Sequence, residues 1–126
     1  MATTSTMMDT RAGNKVTADT ITGSKVTNRS GEDLGKIEDL MLDLDRGRVS
    51  YAVLSFGGFM GMGDKLFAIP FQALKHEGDR GQFVLNVDKD RLKNAPGFDK
   101  NNWPSSADQK WGSQIHSYYG YKPYWE

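Results

Sequence analysis

The chain has 126 residues, of which 37% are hydrophobic and 25% are charged, and its 16 basic and 16 acidic residues give a formal net charge of zero. This is the composition of one ordinary globular domain without a long-range field for nucleic acid or an anionic membrane. The absence of cysteine excludes disulfides, thiolate metal sites and a cysteine nucleophile. Neither a secretory signal nor a run of eighteen apolar residues is present, so we expect a cytoplasmic protein with no nucleic-acid partner and no membrane insertion.

Three parts follow one another along the chain. Residues 1–18 are rich in threonine, contain no aromatic residue and show no periodicity, which predicts a disordered arm. Residues 19–97 carry a series of short β-prone runs separated by glycine-marked turns, and we expect them to form one domain. Residues 98–126 are predicted to form a short helix and an aromatic tail.

The central feature is the stretch 31–70, which predicts three consecutive strands after a first short strand at residues 23–28. Its first part is ambiguous. Apolar residues at positions 34, 37, 41 and 44 have near-helical spacing, whereas those at 40, 42 and 44 alternate as in a strand. Gly35 disfavours a helix, and a turn at residues 45–48 leads into a clear strand. We therefore predict a strand with a β-bulge near Glu38 or Asp39.

The later runs continue the same pattern. Residues 49–56 are dense in β-branched and aromatic side chains, which predicts a central strand covered on both sides. The next strand, 65–71, ends at Pro70, and 72–74 form a single turn. Residues 75–77 and 82–87 are predicted to pair as a hairpin, followed by a helical turn over 88–93. Such short strands indicate a mainly β protein, either an antiparallel barrel or a sandwich.

The C-terminal part changes in character. Residues 106–109 have the capping-box pattern, and a helix from there to residue 120 would place Trp111, Ile115 and Tyr118 or Tyr119 on one face. The last sixteen residues hold six aromatic side chains, too many for a disordered tail. We expect this tail to dock either on its own barrel or on a neighbour's.

A set of short motifs runs through the chain: Gly31-x-x-Leu34-Gly35-x-Ile37-x-Asp39-Leu40-x-Leu42-Asp43, Gly47-Arg48-x-x-Tyr51-Ala52-Val53, Gly57-Gly58, Gly61-x-Gly63-x-Lys65, Pro70-x-x-Ala73-Leu74, Leu92-x-x-Ala95-Pro96-Gly97 and Pro123-Tyr124-Trp125. In these motifs the chain resembles the PRC-barrel domain family, and in particular its stand-alone bacterial members. The resemblance covers about residues 21–97 well and the tail less completely. Because many small features agree at once, the motifs are specific.

The resemblance implies a small antiparallel β-barrel of the PRC type, with a short C-terminal helix and an aromatic tail. The family takes its name from the cytoplasmic part of the photosynthetic reaction-centre H subunit, and a similar domain ends a ribosome small-subunit maturation factor. This chain has neither a transmembrane helix ahead of the barrel nor the separate N-terminal domain of that factor. Neither specific function is therefore carried over. What the resemblance implies is a protein-interaction module without a catalytic site, cofactor or metal.

Nine residues are predicted to form the surface through which the protein associates. Phe59, Met60 and Met62 stand in a glycine-rich loop, where they either fold back over the barrel mouth or contact another subunit. The tail contributes the remaining six: Trp111, Tyr118, Tyr119, Tyr121, Tyr124 and Trp125. We therefore expect a homodimer that also binds an unidentified protein.

Other candidate sites are weaker. The loop 57–63 lacks the Lys-Ser/Thr pair of a phosphate loop. Asp43-x-Asp45-x-Gly47 and Asn86-x-Asp88-x-Asp90 lack the further ligands of a calcium loop, and are predicted to be a hairpin turn and a helix cap. His76 and His116 are forty residues apart and are predicted to be surface or packing residues. The tail aromatics could stack on nucleic-acid bases, yet only two lysines accompany them.

Three functional hypotheses follow. The leading one is a non-enzymatic adaptor, and the second is a barrel that binds a small ligand in electron-transfer or stress metabolism. An enzyme ranks far below both, because no nucleophile stands in a recognisable context. A deep pocket with convergent polar groups would favour the second hypothesis, and a shallow apolar surface would favour the first.

Overall fold

In a computed structural model of the protein, residues 16–56, 65–77, 82–105 and 108–126 are described. In chain order they form α1 (Ala18–Ile21), β1 (Lys25–Thr27), β2 (Asp33–Asp43), β3 (Arg48–Phe56), β4 (Lys65–Pro70), a 3-10 turn (Phe71–Ala73), β5 (Leu74–His76), β6 (Gln82–Leu85), α2 (Lys89–Lys93), β7 (Gly97–Asp99) and α3 (Gln109–Tyr118). The protein is mainly β, as predicted. Residues 1–15 of the predicted arm lie outside the described residues.

The strands form one seven-stranded sheet in the order β5-β6-β1-β2-β3-β4-β7. All neighbours are antiparallel except β1 and β6, which pair in parallel from Lys25 and Gln82. In the described ranges the two edge strands do not pair with each other. The prediction of an antiparallel barrel is therefore only partly confirmed. Only three residues join β4 to β5, although these two strands lie towards opposite ends of the sheet. The sheet must therefore curl strongly, as in a barrel.

The ambiguous segment is a strand with the predicted bulge. Ile37 pairs with Leu54 and Asp39 with Val53, which leaves Glu38 as the extra residue. Gly35 has a φ of +108°, and a Cβ at this position would lie 2.1 Å from the carbonyl oxygen of Ser55. Only glycine allows β2 to approach β3 so closely there.

Several other local predictions are also confirmed, whereas α1 and β7 were not predicted. β3 pairs with β2 on one side and β4 on the other, and β4 ends at Pro70. β5 and β6 form the predicted hairpin. The Asp88 side chain accepts a hydrogen bond from the Arg91 N–H at 2.7 Å and so caps α2.

The main core lies on one face of the curled sheet and is aliphatic and aromatic. It is made by side chains from β1 to β6, the 3-10 turn, α2 and the segment after α2: Val26, Leu34, Ile37, Ala52, Leu54, Phe56, Phe67, Ile69, Ala73, Leu74, Phe83, Leu85, Leu92 and Ala95. The opposite face of β3 and β4 holds a second, smaller cluster of Tyr51, Ala68 and Ile115. β3 is thus covered on both sides, as its composition predicts.

Helix α3 supplies the cover of this second face through Ile115, which is buried. Its N-cap is Asp108, whose carboxylate accepts the N–H groups of Lys110 at 2.9 Å and Trp111 at 3.3 Å. The helix therefore begins later than the capping-box pattern at residue 106 predicts. No helix in the described residues is both long enough and apolar enough to cross a membrane.

Candidate interaction surface

The C-terminal tail packs on the outer face of the protein's own sheet, around the buried ring of Tyr51. We call Tyr51, Trp111, His116, Tyr124 and Trp125 the tail cluster. The Tyr51 ring centroid lies 5.3 Å from those of Trp111 and His116, and Trp125 lies 5.5 Å from His116 and 5.1 Å from Tyr124. Tilted and edge-to-face contacts at these distances are favourable for aromatic pairs.

The close approach of the tail depends on Gly112 in α3. A Cβ at this position would lie 2.6 Å from the Tyr51 hydroxyl and 2.7 Å from the Trp125 ring. Glycine weakens a helix interior, so its presence here has a packing reason. This role had no signal in the sequence, because nothing there places Tyr51 and Trp125 on either side of one helical residue.

His116 lies at the centre of the tail cluster and is 0% exposed. Its Nδ1 is 2.8 Å from the carbonyl oxygen of Gly112 and 3.5 Å from the Tyr51 hydroxyl. Because a carbonyl only accepts, Nδ1 carries the proton in the neutral ring, and Nε2 has no hydrogen-bond partner among the described residues. Burial lowers the pKa of His116, while the bond to Gly112 opposes this effect. The histidine is a packing residue, which is one of the two predicted roles.

A short chain of hydrogen bonds ties the tail to the β2–β3 hairpin. The Tyr124 hydroxyl donates to the Asp43 carboxylate at 2.6 Å and lies 2.9 Å from the Ser50 hydroxyl, which must then donate to it. The pKa of Tyr124 is raised, chiefly by burial and then by the bond to Asp43. Tyr124 and Arg46 lower the pKa of Asp43. These bonds hold the last residues of the chain on the hairpin.

The hairpin reaches the tail because β3 also has a bulge. Met41 pairs with Tyr51 and Leu42 with Val49, which leaves Ser50 as an extra residue in β3. Asp43 shapes the following turn by accepting the Arg46 N–H at 3.0 Å. The Asp43-Asp45-Gly47 pattern is therefore the turn it was predicted to be, and no group of three metal-ligating side chains occurs in the part of the chain described here.

The other predicted tail residues have separate contacts. The Tyr118 hydroxyl donates to the carbonyl oxygen of Arg91 at 2.6 Å, and the Arg91 guanidinium lies 4.4 Å from the Tyr118 ring centroid. Tyr119 packs against both clusters of the core, and burial strongly raises the pKa of its hydroxyl. Tyr121 is 37% exposed. Five of the six tail residues thus face their own chain, and their predicted role in association stays a prediction.

The other part of the predicted surface is the glycine-rich loop. Phe59, Met60 and Met62 lie outside the described residues. Sequence reasoning missed instead two exposed leucines: Leu42, near the end of β2, is 59% exposed, and Leu44, in the turn that follows, is 85% exposed. Their alternation with Leu40 predicted one strand face, but how far the core extends along that face is decided by the packing of other elements.

These exposed leucines accompany an open strand edge. β1 pairs with β2 from Asp33 to Lys36, and Gly23 and Ser24 extend the contact to Ile37. Beyond Ile37, no backbone group of the described residues pairs with this side of β2. We call residues 38–43 the β2 edge. An unpaired strand with exposed apolar side chains is a template for pairing with another chain.

Short strands in one curled sheet around a filled core define a small β domain built on hairpins. The sequence profile described as PRC-barrel domain matches residues 13–92, and the chain belongs to this family. The match ends before β7, α3 and the tail. Of the tail cluster, Tyr51 lies within the matched region, whereas the other four residues lie beyond it.

No curated protein matches the chain significantly. Among solved structures, a putative 16S ribosomal RNA processing protein, RimM, from Pseudomonas aeruginosa is similar at 19% identity with a TM-score of 0.40, over 59% of this chain and 44% of that one. The chain spans less than half the length of that protein. A similarity of this degree carries no argument about activity or partners.

Proposed function

We propose that the protein is a non-enzymatic protein-interaction module that forms a homodimer and binds a further protein in the cytoplasm. The observation that carries this proposal is the exposure of Leu42 and Leu44 beside the open β2 edge. Covering a leucine side chain fully is worth about 1.5–3 kcal/mol. Two such side chains next to unpaired backbone groups supply both the apolar and the hydrogen-bonding parts of an interface.

The absence of catalysis is part of the proposal, and the chemistry of the tail cluster supports it. The Ser50 hydroxyl, next to the tail cluster, donates its proton to Tyr124. A tyrosine hydroxyl that is itself donating to a carboxylate is a poor general base. His116 uses Nδ1 for a backbone carbonyl and makes no hydrogen bond to Ser50, so the pair lacks the geometry of an activated nucleophile.

The small-ligand hypothesis has less support. The described interior of the sheet is filled by the main core. A cavity of about 280 Å³ opens between the β2–β3 turn and the tail, and Asp43, Ser50 and Tyr124 line it. These polar groups are already bonded to one another, so few remain to select a ligand. The cavity therefore favours the interaction module.

Sedimentation velocity over a concentration series tests the proposal. The wild-type chain is expected to dimerise, and the double variant Leu42→Ser/Leu44→Ser is expected to sediment as a monomer with an unchanged circular dichroism spectrum. Tyr121→Ser is the matched control, because it removes an exposed apolar side chain from the tail and leaves the β2 edge intact. A triple Phe59→Ser/Met60→Ser/Met62→Ser variant asks whether the loop contributes. A wild-type chain that stays monomeric at every concentration would contradict the homodimer.

A further inference from the structure

The end of the chain after α3 is held on the sheet by side-chain contacts. Residues 121–126 belong to no helix or strand. Gly120, with a φ of +82°, ends α3 and reverses the chain, so that Trp125 lies back beside Gly112 of the same helix. A segment attached in this way can leave the sheet without breaking a strand pairing or a helix.

The contacts of this segment converge on His116. The ring centroids of Tyr124 and Trp125 lie 5.8 and 5.5 Å from that of His116. The imidazole is 0% exposed, so both rings and α3 together exclude water from it. Further along the segment, the carbonyl oxygen of Lys122 accepts a hydrogen bond from the Gln72 side chain at 3.2 Å. The attachment of the segment therefore depends on what the buried imidazole tolerates.

The imidazole is packed as a neutral ring. Nδ1 donates its proton to the carbonyl oxygen of Gly112 at 2.8 Å, and Nε2 has no hydrogen-bond partner among the described residues. The neighbouring hydroxyls of Tyr51 and Tyr124 stay neutral as well, because burial raises the pKa of both. A proton added at Nε2 would create a buried, charged donor without an acceptor, which is costly unless water reaches it.

The charged groups around His116 in the described residues offer an imidazolium no free counter-ion. From β3, the Arg48 guanidinium lies 4.6 Å from the Tyr124 ring centroid. Burial lowers the pKa of His116, and the charge of Arg48 lowers it further. From β2, the Asp43 carboxylate already accepts bonds from Tyr124 and Arg46. β4 contributes the uncharged Ala68 to this face. The charged side chains of α3 and of the segment after it are all exposed: Asp108, Lys110, Lys122 and Glu126.

We infer that residues 121–126 form a latch that acid opens: protonation of His116 frees the latch from the outer face, while the sheet stays folded. The buried residues of the main core all precede Pro96, so the core does not need the latch. Ile115 and the bond from Tyr118 to the carbonyl oxygen of Arg91 keep α3 in place. The inference does not depend on the proposed homodimer, because all of these groups belong to one chain.

Fluorine NMR of the full chain labelled with fluorotryptophan tests the latch, because the chain has three tryptophans in different surroundings. Trp125 reports on the latch. Trp103, which stacks on Phe98 at 5.1 Å, is the internal control. Below about pH 6.5 the released population seen at Trp125 should rise by up to about tenfold for each pH unit, because the released form binds one more proton. The Trp103 resonance and the far-ultraviolet circular dichroism should stay constant over that range.

Two substitutions separate titration from packing. His116→Phe keeps a ring of similar volume and His116→Gln keeps a hydrogen-bond donor, and in both the Trp125 signal should lose its dependence on pH between about pH 7 and pH 5. Asp43→Asn is the matched control: it weakens a latch contact but leaves His116 to titrate, so the dependence should remain.

Two results would overturn the inference. In the first, the wild-type Trp125 signal stays unchanged until the circular dichroism of the sheet is lost, so that no separate release occurs. In the second, both variants of His116 keep the dependence on pH that the wild-type chain shows.

Discussion

The two faces of the sheet are held by different kinds of interaction, although β3 contributes to both. The inner face is filled by buried aliphatic and aromatic side chains such as Leu54 and Phe67. The outer face is covered by α3 and the tail, where aromatic rings surround a buried histidine and end in hydrogen bonds to Asp43 and Ser50. The inner face thus depends chiefly on apolar packing, whereas the outer face also depends on hydrogen bonds and protonation.

The largest effect is expected from a cavity on the inner face. Leu54→Ala should lower the free energy of unfolding by about 2–5 kcal/mol, because a dense core collapses only partly around a lost side chain. Urea unfolding measures this change. Leu44→Ala is the matched control: it deletes the same atoms from an exposed site and should change stability by no more than about 0.5 kcal/mol when the chain is monomeric. Equal effects of the two changes would contradict the burial of Leu54.

On the outer face, Gly112→Ala tests whether packing outweighs helix propensity. Alanine favours a helix over glycine by about 1 kcal/mol, yet its Cβ would overlap the Tyr51 hydroxyl and the Trp125 ring. We expect a net loss of about 1–3 kcal/mol, as for other overpacked sites, together with a change in tryptophan fluorescence. Ser113→Ala, at an exposed position of the same helix, should be neutral or better. Added Tyr51→Phe should recover part of the loss by removing one of the two overlaps. A stabilised Gly112→Ala would contradict the close approach of the tail.

A smaller effect is expected from the hydrogen bonds of Tyr124. Tyr124→Phe keeps the ring in the tail cluster but removes its bonds to Asp43 and Ser50, and should cost about 1 kcal/mol. A double-mutant cycle with Asp43→Asn separates the contribution of the carboxylate from that of the ring. A coupling energy of zero would show that the hairpin and the tail are not linked through this bond.

The smallest effect concerns pH, and it belongs to the outer face alone. Burial lowers the pKa of His116 in the folded chain, so below about pH 6.5 the unfolded chain binds a proton that the folded chain does not. The contribution of His116 to stability should therefore be constant above that pH, and stability should fall as the solution becomes more acidic. The pKa of Asp43 is also lowered in the folded chain. Stability should therefore fall further below about pH 4, where the carboxylate of the unfolded chain gains a proton first.

Urea unfolding at several pH values checks this prediction. Leu54→Ala should shift the whole curve downward without changing its shape, whereas His116→Gln should remove the decline that begins near pH 6.5. If His116→Gln retains that decline, another group is responsible and the outer face is not the pH-dependent one.

Most of the fold could be predicted from the sequence. The alternating leucines and Gly35 indicated a strand at β2, and the phase conflict between Ile37 and Leu40 required the bulge that is found at Glu38. These features depend on neighbours a few residues away, so they can be read without tertiary structure. The family resemblance, confirmed by the match over residues 13–92, implied an antiparallel barrel, and the described residues form instead a curled sheet with one parallel pair.

The candidate site could not be predicted to the same degree. Aromatic content predicted that the tail docks, but the partner of a docked residue lies far along the chain, as with Tyr124 and Asp43. The parallel pairing of β1 with β6 is equally non-local. Whether Leu42 and Leu44 are buried depends on how far α1 and β1 extend beside β2, and no pattern within β2 contains that information. The sequence by itself therefore determined most of the strands, their turns and the class of fold, because these follow from local periodicity, whereas the short β7 went unpredicted. Only the tertiary structure decided which apolar residues remain exposed, because exposure is a property of what other parts of the chain cover.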